Sequence, residues 1–233
     1  MEKSPLKDSV TKRWRNKMQI TRLKQRTIMF SYDTFSVCGH HSYVILGESF
    51  NYVLDTGCGS KQMQIVKDYL VSLKETKPII VINSHYHWDH IWGNCAFKDS
   101  PIIATTKCQE MSHQYYQEMC QNNAKFIQGD VTETPPTLTF DTSACFKEDG
   151  LYLYASRGHT PDGLILYDTK ERILHAFDNI GDTLDHPVPD LMDSKEEYLK
   201  ALEFMEQFDF DILTSGHNDP QTKEFIKQIK TEV

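Results

Sequence analysis

The apolar run Ile79-Ile80-Val81-Ile82, set off by Pro78, empties directly into Asn83-Ser84-His85-Tyr86-His87-Trp88-Asp89-His90. A short β-branched run bounded by proline reads as a buried strand, so the polar cluster stands at a strand's exit. His85, His87, Asp89 and His90, all able to ligate a metal, fall within six residues. In extended backbone, residues two apart project to the same side, so His85 and His87 converge on one point. Asp89 and His90 are adjacent, and a tight turn into a helix would aim both at a second point. The spacing therefore predicts two metal ions. Without further ligands the same residues would make only a solvated turn, so the rest of the chain has to supply them.

It offers three positions of the same kind, each a polar ligand after a predicted strand. His159 follows Leu151–Ser156, Asp178 follows the run ending at Phe177, and His217 follows Ile212-Leu213. Gly158-His159 and Gly216-His217 place a glycine where the backbone must come close to its surroundings. Strand ends on one rim of a sheet can meet at one site, and imidazole with carboxylate is the donor set that zinc takes.

The pattern between these points alternates strands and helices. Strands are predicted over Thr27–Val37, Tyr43–Leu46 and Tyr52–Leu54, then a helix over Gln62–Leu73 before the Pro78 strand. A short strand at Pro101–Ala104 leads into a polar helix over Thr106–Asn122, whose His113 reads as a surface residue. A second β-rich half follows: Thr137–Phe140, a hairpin of Cys145–Lys147 and Leu151–Ser156 around Glu148-Asp149-Gly150, then Leu164–Tyr167 and Arg172–Phe177. Asn179–Asp193 reads as a loop over a site. Ser194 and Glu197 form a capping box for a helix to Phe208. Asp211–Leu213 is a last strand, and Asp219-Pro220 opens a last helix. Two blocks of strands, each accompanied by helices, predict an α/β fold of two packed sheets with helices outside, in four layers α/β/β/α.

Composition bears on partners. Residues 1–27 hold nine Lys or Arg and two acids, so the formal charge of −8 divides into a basic arm and an acidic body. The arm is set at residues 1–26, with Trp14, Met18, Ile20 and Leu23 on one weak helical face, and a single domain at 27–233. An acidic body disfavours a nucleic acid or other polyanion and leaves a small molecule as the expected substrate. No apolar h-region follows Met-Glu-Lys-Ser-Pro and the longest apolar runs are strand-length, so neither a secretory signal nor a membrane span is expected, and the compartment read from this is the cytoplasm. Cys38, Cys58, Cys95, Cys108, Cys120 and Cys145 show no C-x-x-C pairing and read as free thiols. Cys58 lies in Asp55-Thr56-Gly57-Cys58-Gly59, a turn near the cluster.

Taken together, His85-Tyr86-His87-Trp88-Asp89-His90, Gly158-His159-Thr160-Pro161, Asp178, Gly216-His217 and the early Asp55-Thr56-Gly57 resemble the metallo-β-lactamase-fold superfamily, in that order and from about Thr27 onward. The resemblance implies one ion held by His85, His87 and His159, a second held by Asp89, His90 and His217, and Asp178 bridging them. Zn2+ is the expected metal, with Mn2+ or Fe2+ as alternatives. It implies a hydrolase in which a metal-bridging hydroxide attacks a small ester, thioester or lactone, Asp89 carrying a proton to the leaving group and Asp55 orienting a ligand imidazole.

Departures from the family pattern narrow the substrate. True β-lactamases generally lack a bridging aspartate, which makes lactam hydrolysis the lesser option. The ligand set is most similar to that of the glyoxalase II type, whose helical glutathione-binding extension has no counterpart after His217. Quorum-signal lactonases often carry a tyrosine three residues after the bridging aspartate, where this chain has Gly181. Phe177 stands where the family commonly has glycine, and Asp162-Gly163 follows Gly-His-Thr-Pro in place of a small residue and serine. A mononuclear iron persulfide dioxygenase and a nuclease of the same fold are the competing readings.

Overall fold

The computed structural model describes residues 12–14, 18–35 and 38–233. Its first sheet runs in sequence order through β1 (Lys12–Trp14), β2 (Met18–Arg22), β3 (Thr27–Tyr32), β4 (His41–Leu46), β5 (Asn51–Leu54), β6 (Ile79–Ile82), β7 (Ile102–Thr105) and β8 (Leu138–Phe140). The second passes from β9 (Ser143–Phe146) through β10 (Leu151–Ala155), β11 (Leu164–Asp168) and β12 (Ile173–His175) to β13 (Ile212–Thr214). The helices are α1 (Ser60–Ser72), α2 (Trp88–Ile91), α3 (Thr106–Asn123), α4 (Lys195–Met205) and α5 (Glu224–Glu232). Among the described residues no helix is long and apolar enough to cross a membrane.

Strand alternation builds the layers. Tyr43 and Ile45, Tyr52 and Leu54, and Ile80 and Ile82 face the second sheet, where they meet Leu151, Leu153, Leu164, Leu166 and Phe177. The intervening Val44, Val53 and Val81 face the other way, against Met63, Val66 and Leu70 of α1. Burial on both faces favours apolar side chains, which is why Tyr43–Leu46, Tyr52–Leu54 and Ile79–Ile82 read as continuous apolar runs, with the buried polar His41, Ser42 and Asn51 confined to the strand starts. In the second sheet Ile165, Leu174 and Leu213 turn outward onto α4 and α5, meeting Tyr198, Leu202, Phe225 and Ile226. Each fully buried side chain of this size contributes roughly 1.5–3 kcal/mol. The result is the predicted α/β/β/α sandwich.

Direction matters more than layering for the site. β5, β6 and β7 are parallel, so they end on one edge. β10 and β12 are both antiparallel to β11, and β13 is parallel to β12, so these three also share a direction. At the opposite edge the sheets are tied by Arg26, whose guanidinium donates to the Asp149 carbonyl at 2.7 Å and to Asp168 at 2.5 Å. Glu171 accepts there from the Arg26 and Thr27 amides and from the Thr27 hydroxyl, at 2.9, 3.0 and 2.6 Å.

Two local expectations are corrected. Met18–Arg22 is a strand paired antiparallel with β3 and not part of a helical face; Ile20 is buried against Ile28 and Phe30, and pairing satisfies backbone groups that a short basic helix would leave to water. The paired strand also places the described part of the basic segment within the sheet, while residues 1–11 and 15–17 lie outside the described residues. The last helix begins at Glu224, later than Asp219-Pro220 suggests, because Gln221 is held in a bridge with Leu213.

Candidate metal centre

Every predicted ligand lies at an exit of the shared edge. β6 ends at Ile82, and His85 and His87 stand in the irregular turn beyond it, closer to the coil than the extended backbone expected. Asp89 and His90 lie on the short helix α2, which begins after His87. This turn is fixed from two sides. The Thr56 amide and hydroxyl donate to the His90 carbonyl at 2.7 and 3.1 Å, and Asp162 accepts from the Tyr86 amide at 2.7 Å. In the second sheet, the hydroxyl of Ser215 accepts from the amides of His217 and Asn218 at 3.1 and 3.2 Å, which curls the chain sharply after β13.

Asp178 arrives by a strained route. It lies in a single 3-10 turn after β12, and the preceding Phe177 has a φ of 51°. That left-handed conformation is the physical reason a glycine is usual here, and a bulky residue adopts it only when its surroundings hold it. The Phe177 ring supplies the hold, being buried among Leu164 and Leu166 in the core between the sheets.

Two groups result: His85, His87, His159 and Asp178 in one, Asp89, His90 and His217 in the other, each with ligand atoms close enough together to hold one ion. The imidazole orientations are fixed from behind. His85 Nδ1 donates to the Ser84 hydroxyl at 2.9 Å, His90 Nδ1 to Asp55 Oδ2 at 2.8 Å, His159 Nδ1 to the Asp190 carbonyl at 2.8 Å and His217 Nδ1 to the Gly39 carbonyl at 2.9 Å. Each Nε2 then presents a lone pair to the site. His87 is turned the other way, its Nδ1 lying 2.9 Å from His85 Nε2 and 3.1 Å from His159 Nε2. A ring nitrogen carries either one proton or one lone pair, so His87 Nδ1 can satisfy at most one of these two lone pairs, whereas a cation among the three nitrogens would satisfy all of them. Asp178 Oδ1 is likewise buried without a partner. The residues present fit a divalent cation in each group.

Charge follows burial. Burial, with His90 and His159 respectively as the leading like charges, holds the His85 imidazole far below its ordinary range and that of His87 down to about 3. Burial also opposes protonation of His90 and His217, but Asp178 outweighs it and raises both. Asp178 is correspondingly depressed, its own burial being overcome by His90 and His217, and burial raises Asp89. Asp178 and these imidazoles thus favour each other's charged forms, the place that a divalent cation would take.

Residues that sequence reasoning missed stand behind the ligands. Ser84 joins His85 to Asp55, donating its hydroxyl to Asp55 Oδ2 at 2.7 Å; its place before His85 was the available signal. His40 donates Nε2 to the Asp89 carbonyl at 2.6 Å and stacks on His217, and nothing in its local pattern marks it. Cys58 is 3.8 Å from His40 Nδ1, and burial pushes its thiol up, which denies it a nucleophile's thiolate. All the cysteines are free. His113 is an exposed residue bonded to Glu133. Trp92 is core, whereas Trp88 stacks on Phe126 beside Phe35. A shallow concavity lies beside His85, His159 and Asp178, with Ser156, Phe177 and Asn179 in its wall.

Known proteins share this arrangement at the level of fold. The metallo-beta-lactamase from Hirschia baltica is 18% identical, with 93% of this chain and 97% of that one covered at a TM-score of 0.75. The metallo-beta-lactamase from Pontibacter korlensis is 16% identical, with 91% and 97% covered at 0.71. The DIM-1 metallo-beta-lactamase is 13% identical, with 92% and 96% covered at 0.70. The family model of the metallo-beta-lactamase superfamily matches residues 36–217, a span that runs from just before β4 to the last candidate ligand. Members of that superfamily bind divalent metals and are usually hydrolytic enzymes, and by this match the chain belongs to the metallo-beta-lactamase superfamily.

Proposed function

We propose that this protein is a dinuclear metal hydrolase, with zinc as its metal, cleaving a small ester, thioester or lactone. The observation that carries the reading is the placement of Asp178 Oδ2. It lies 3.6 and 3.8 Å from the Nε2 atoms of His85 and His159, and 3.1 and 3.2 Å from those of His90 and His217. One carboxylate oxygen therefore stands between the two imidazole groups, as a ligand shared by two ions must. Two bound divalent ions would supply a water activated near neutral pH and a Lewis acid for the substrate carbonyl.

The chain's own groups do the rest. His85, His87 and His159 define one pole of the site, and Asp89, His90 and His217 the other. Asp89 Oδ2 is 3.4 Å from His217 Nε2 and is placed to carry a proton to the departing group. Beside the concavity, Ser156 Oγ and Asn179 Oδ1 are buried without hydrogen-bond partners. The aromatic residues Phe35, Trp88 and Phe126 wall the His217 side and keep water from that flank. An acidic body and a neutral wall favour a small, uncharged substrate over a polyanion.

The test is metal content by mass spectrometry on protein purified without added metal, followed by assays of the same sample on thioesters, lactones and a cephalosporin. Close to two zinc ions per chain with thioester or lactone hydrolysis is expected. One iron per chain with oxygen uptake would replace the proposal with a dioxygenase.

A further inference from the structure

Gly216 lies in the turn after β13 and precedes the candidate ligand His217. Its φ is not positive, so the backbone there suits any residue and the glycine is not required for conformation. Space is what requires it. A Cβ built on Gly216 would overlap Asp178 Oδ1, stand 3.3 Å from Asp178 Cγ and lie 2.9 Å from His90 Cε1. Asp178 Oδ1 is the buried oxygen of that carboxylate without a hydrogen-bond partner, while Oδ2 faces the imidazoles.

From this we infer that Gly216 is a positioning residue for the metal centre: the absence of a side chain at 216 lets the Asp178 carboxylate lie flat against the β13 turn with Oδ2 between the two imidazole groups. Asp178 is poorly placed to retreat. It follows Phe177, whose left-handed backbone is locked by its buried ring, and the Ala176 amide is bonded to the Thr214 carbonyl at 2.9 Å. On the other side, the Gly216 carbonyl accepts from the His41 amide at 2.8 Å, which ties the turn to β4. A methyl group at 216 therefore rotates or displaces the carboxylate before it moves either strand. The inference rests on the two-ion reading proposed above, and it concerns which residue sets the shared ligand, whatever the substrate.

The experiment is a Co2+ and Zn2+ titration of Gly216→Ala, Asp178→Ala and the double variant beside the wild type, with far-ultraviolet circular dichroism on each. Gly216→Ala is expected to keep the secondary structure, lose at least tenfold in affinity for an ion and change the visible Co2+ spectrum. In the Asp178→Ala background, where the obstructing carboxylate is gone and only the contact with His90 Cε1 remains, adding Gly216→Ala should cost at least threefold less than it does in the wild type. Unchanged affinity and spectrum in Gly216→Ala would overturn the inference, and so would an equal loss in both backgrounds. Should Gly216→Ala fail to fold, the double variant decides: Asp178→Ala must restore folding, and failure to do so overturns the inference. The wild-type ion count tests the two-ion reading separately, because the comparison between variants reads the same whether the wild type binds two ions or one.

Discussion

Asp55 is the residue through which the two imidazole groups are joined. Its carboxylate accepts from the Ser84 amide and hydroxyl, both at 2.7 Å, and from His90 Nδ1 at 2.8 Å, so it orients His90 directly and His85 through Ser84. Its φ of 55° suits aspartate or asparagine far better than alanine, which makes Asp55→Asn the informative change. Asparagine keeps the turn but must offer an amide to one of three donors. Metal affinity should fall about 10–100-fold, measured by competition with a chromophoric chelator; an unchanged affinity would make Asp55 a turn former only. His175 is a second residue with a measurable consequence. Burial holds its imidazole down to about 3, so the unfolded chain takes up the proton first. Stability from this group is complete above the unfolded value near 6.5 and drains away as pH falls from there toward 3. Between pH 7 and pH 5 the metal-free protein should lose about 2 kcal/mol more than His175→Asn does in urea melts. Equal losses would show that His175 does not contribute.

At the scale of elements, α4 is the clearest agreement between sequence and structure. Ser194 accepts from the Glu197 amide at 3.1 Å, as its place in Ser-x-x-Glu predicts, although the Glu197 side chain turns to Lys200 and leaves half of the box unmade. Ser194→Ala should cost about 1 kcal/mol in a denaturant melt, and a cost near zero would mean that Asp193, which accepts from the Ser194 amide, suffices. Most of the site was legible for a related reason: ligands that sit at strand exits announce themselves, since an apolar run followed by a polar turn is visible without neighbours. What stayed hidden depends on contacts across the chain. His40 meets Asp89 only once β4 and β6 have joined the same sheet, and Asp190 offers His159 a backbone carbonyl, which no side-chain pattern encodes. β2 was misread because four apolar residues among basic ones fit a weak helix as well as a strand, and the deciding partner, β3, is a tertiary fact. The strain at Phe177 was visible as an oddity of composition, but its cause needed the backbone.

For the molecule as a whole, the candidate ligands come from both sheets: His85, His87, Asp89 and His90 from the exit of the first, His159, Asp178 and His217 from the exits of the second. Bound metal would thus fasten the sandwich at one edge while Arg26, Asp168 and Glu171 fasten the other. Removing metal with a chelator should lower the melting temperature, by an amount that corresponds to about 4 kcal/mol when free metal is a thousandfold above its dissociation constant. A chelator-insensitive melt would mean that the sheets hold together without the ions. Arg26→Met should destabilise metal-free protein by about 3–5 kcal/mol, because it leaves Asp168 buried without its cation, and a smaller loss would show that water reaches that carboxylate.

The spread of ligands along the chain also sets an order of events during biosynthesis. His85 to His90 leave the ribosome first, and at 5–20 residues per second His217 follows on the order of ten seconds later. The group of His85, His87 and His159 gains its last donor with Asp178, whereas the group of Asp89 and His90 waits for His217. The two halves of the centre would thus become competent to hold an ion one after the other, the half that contains His217 second.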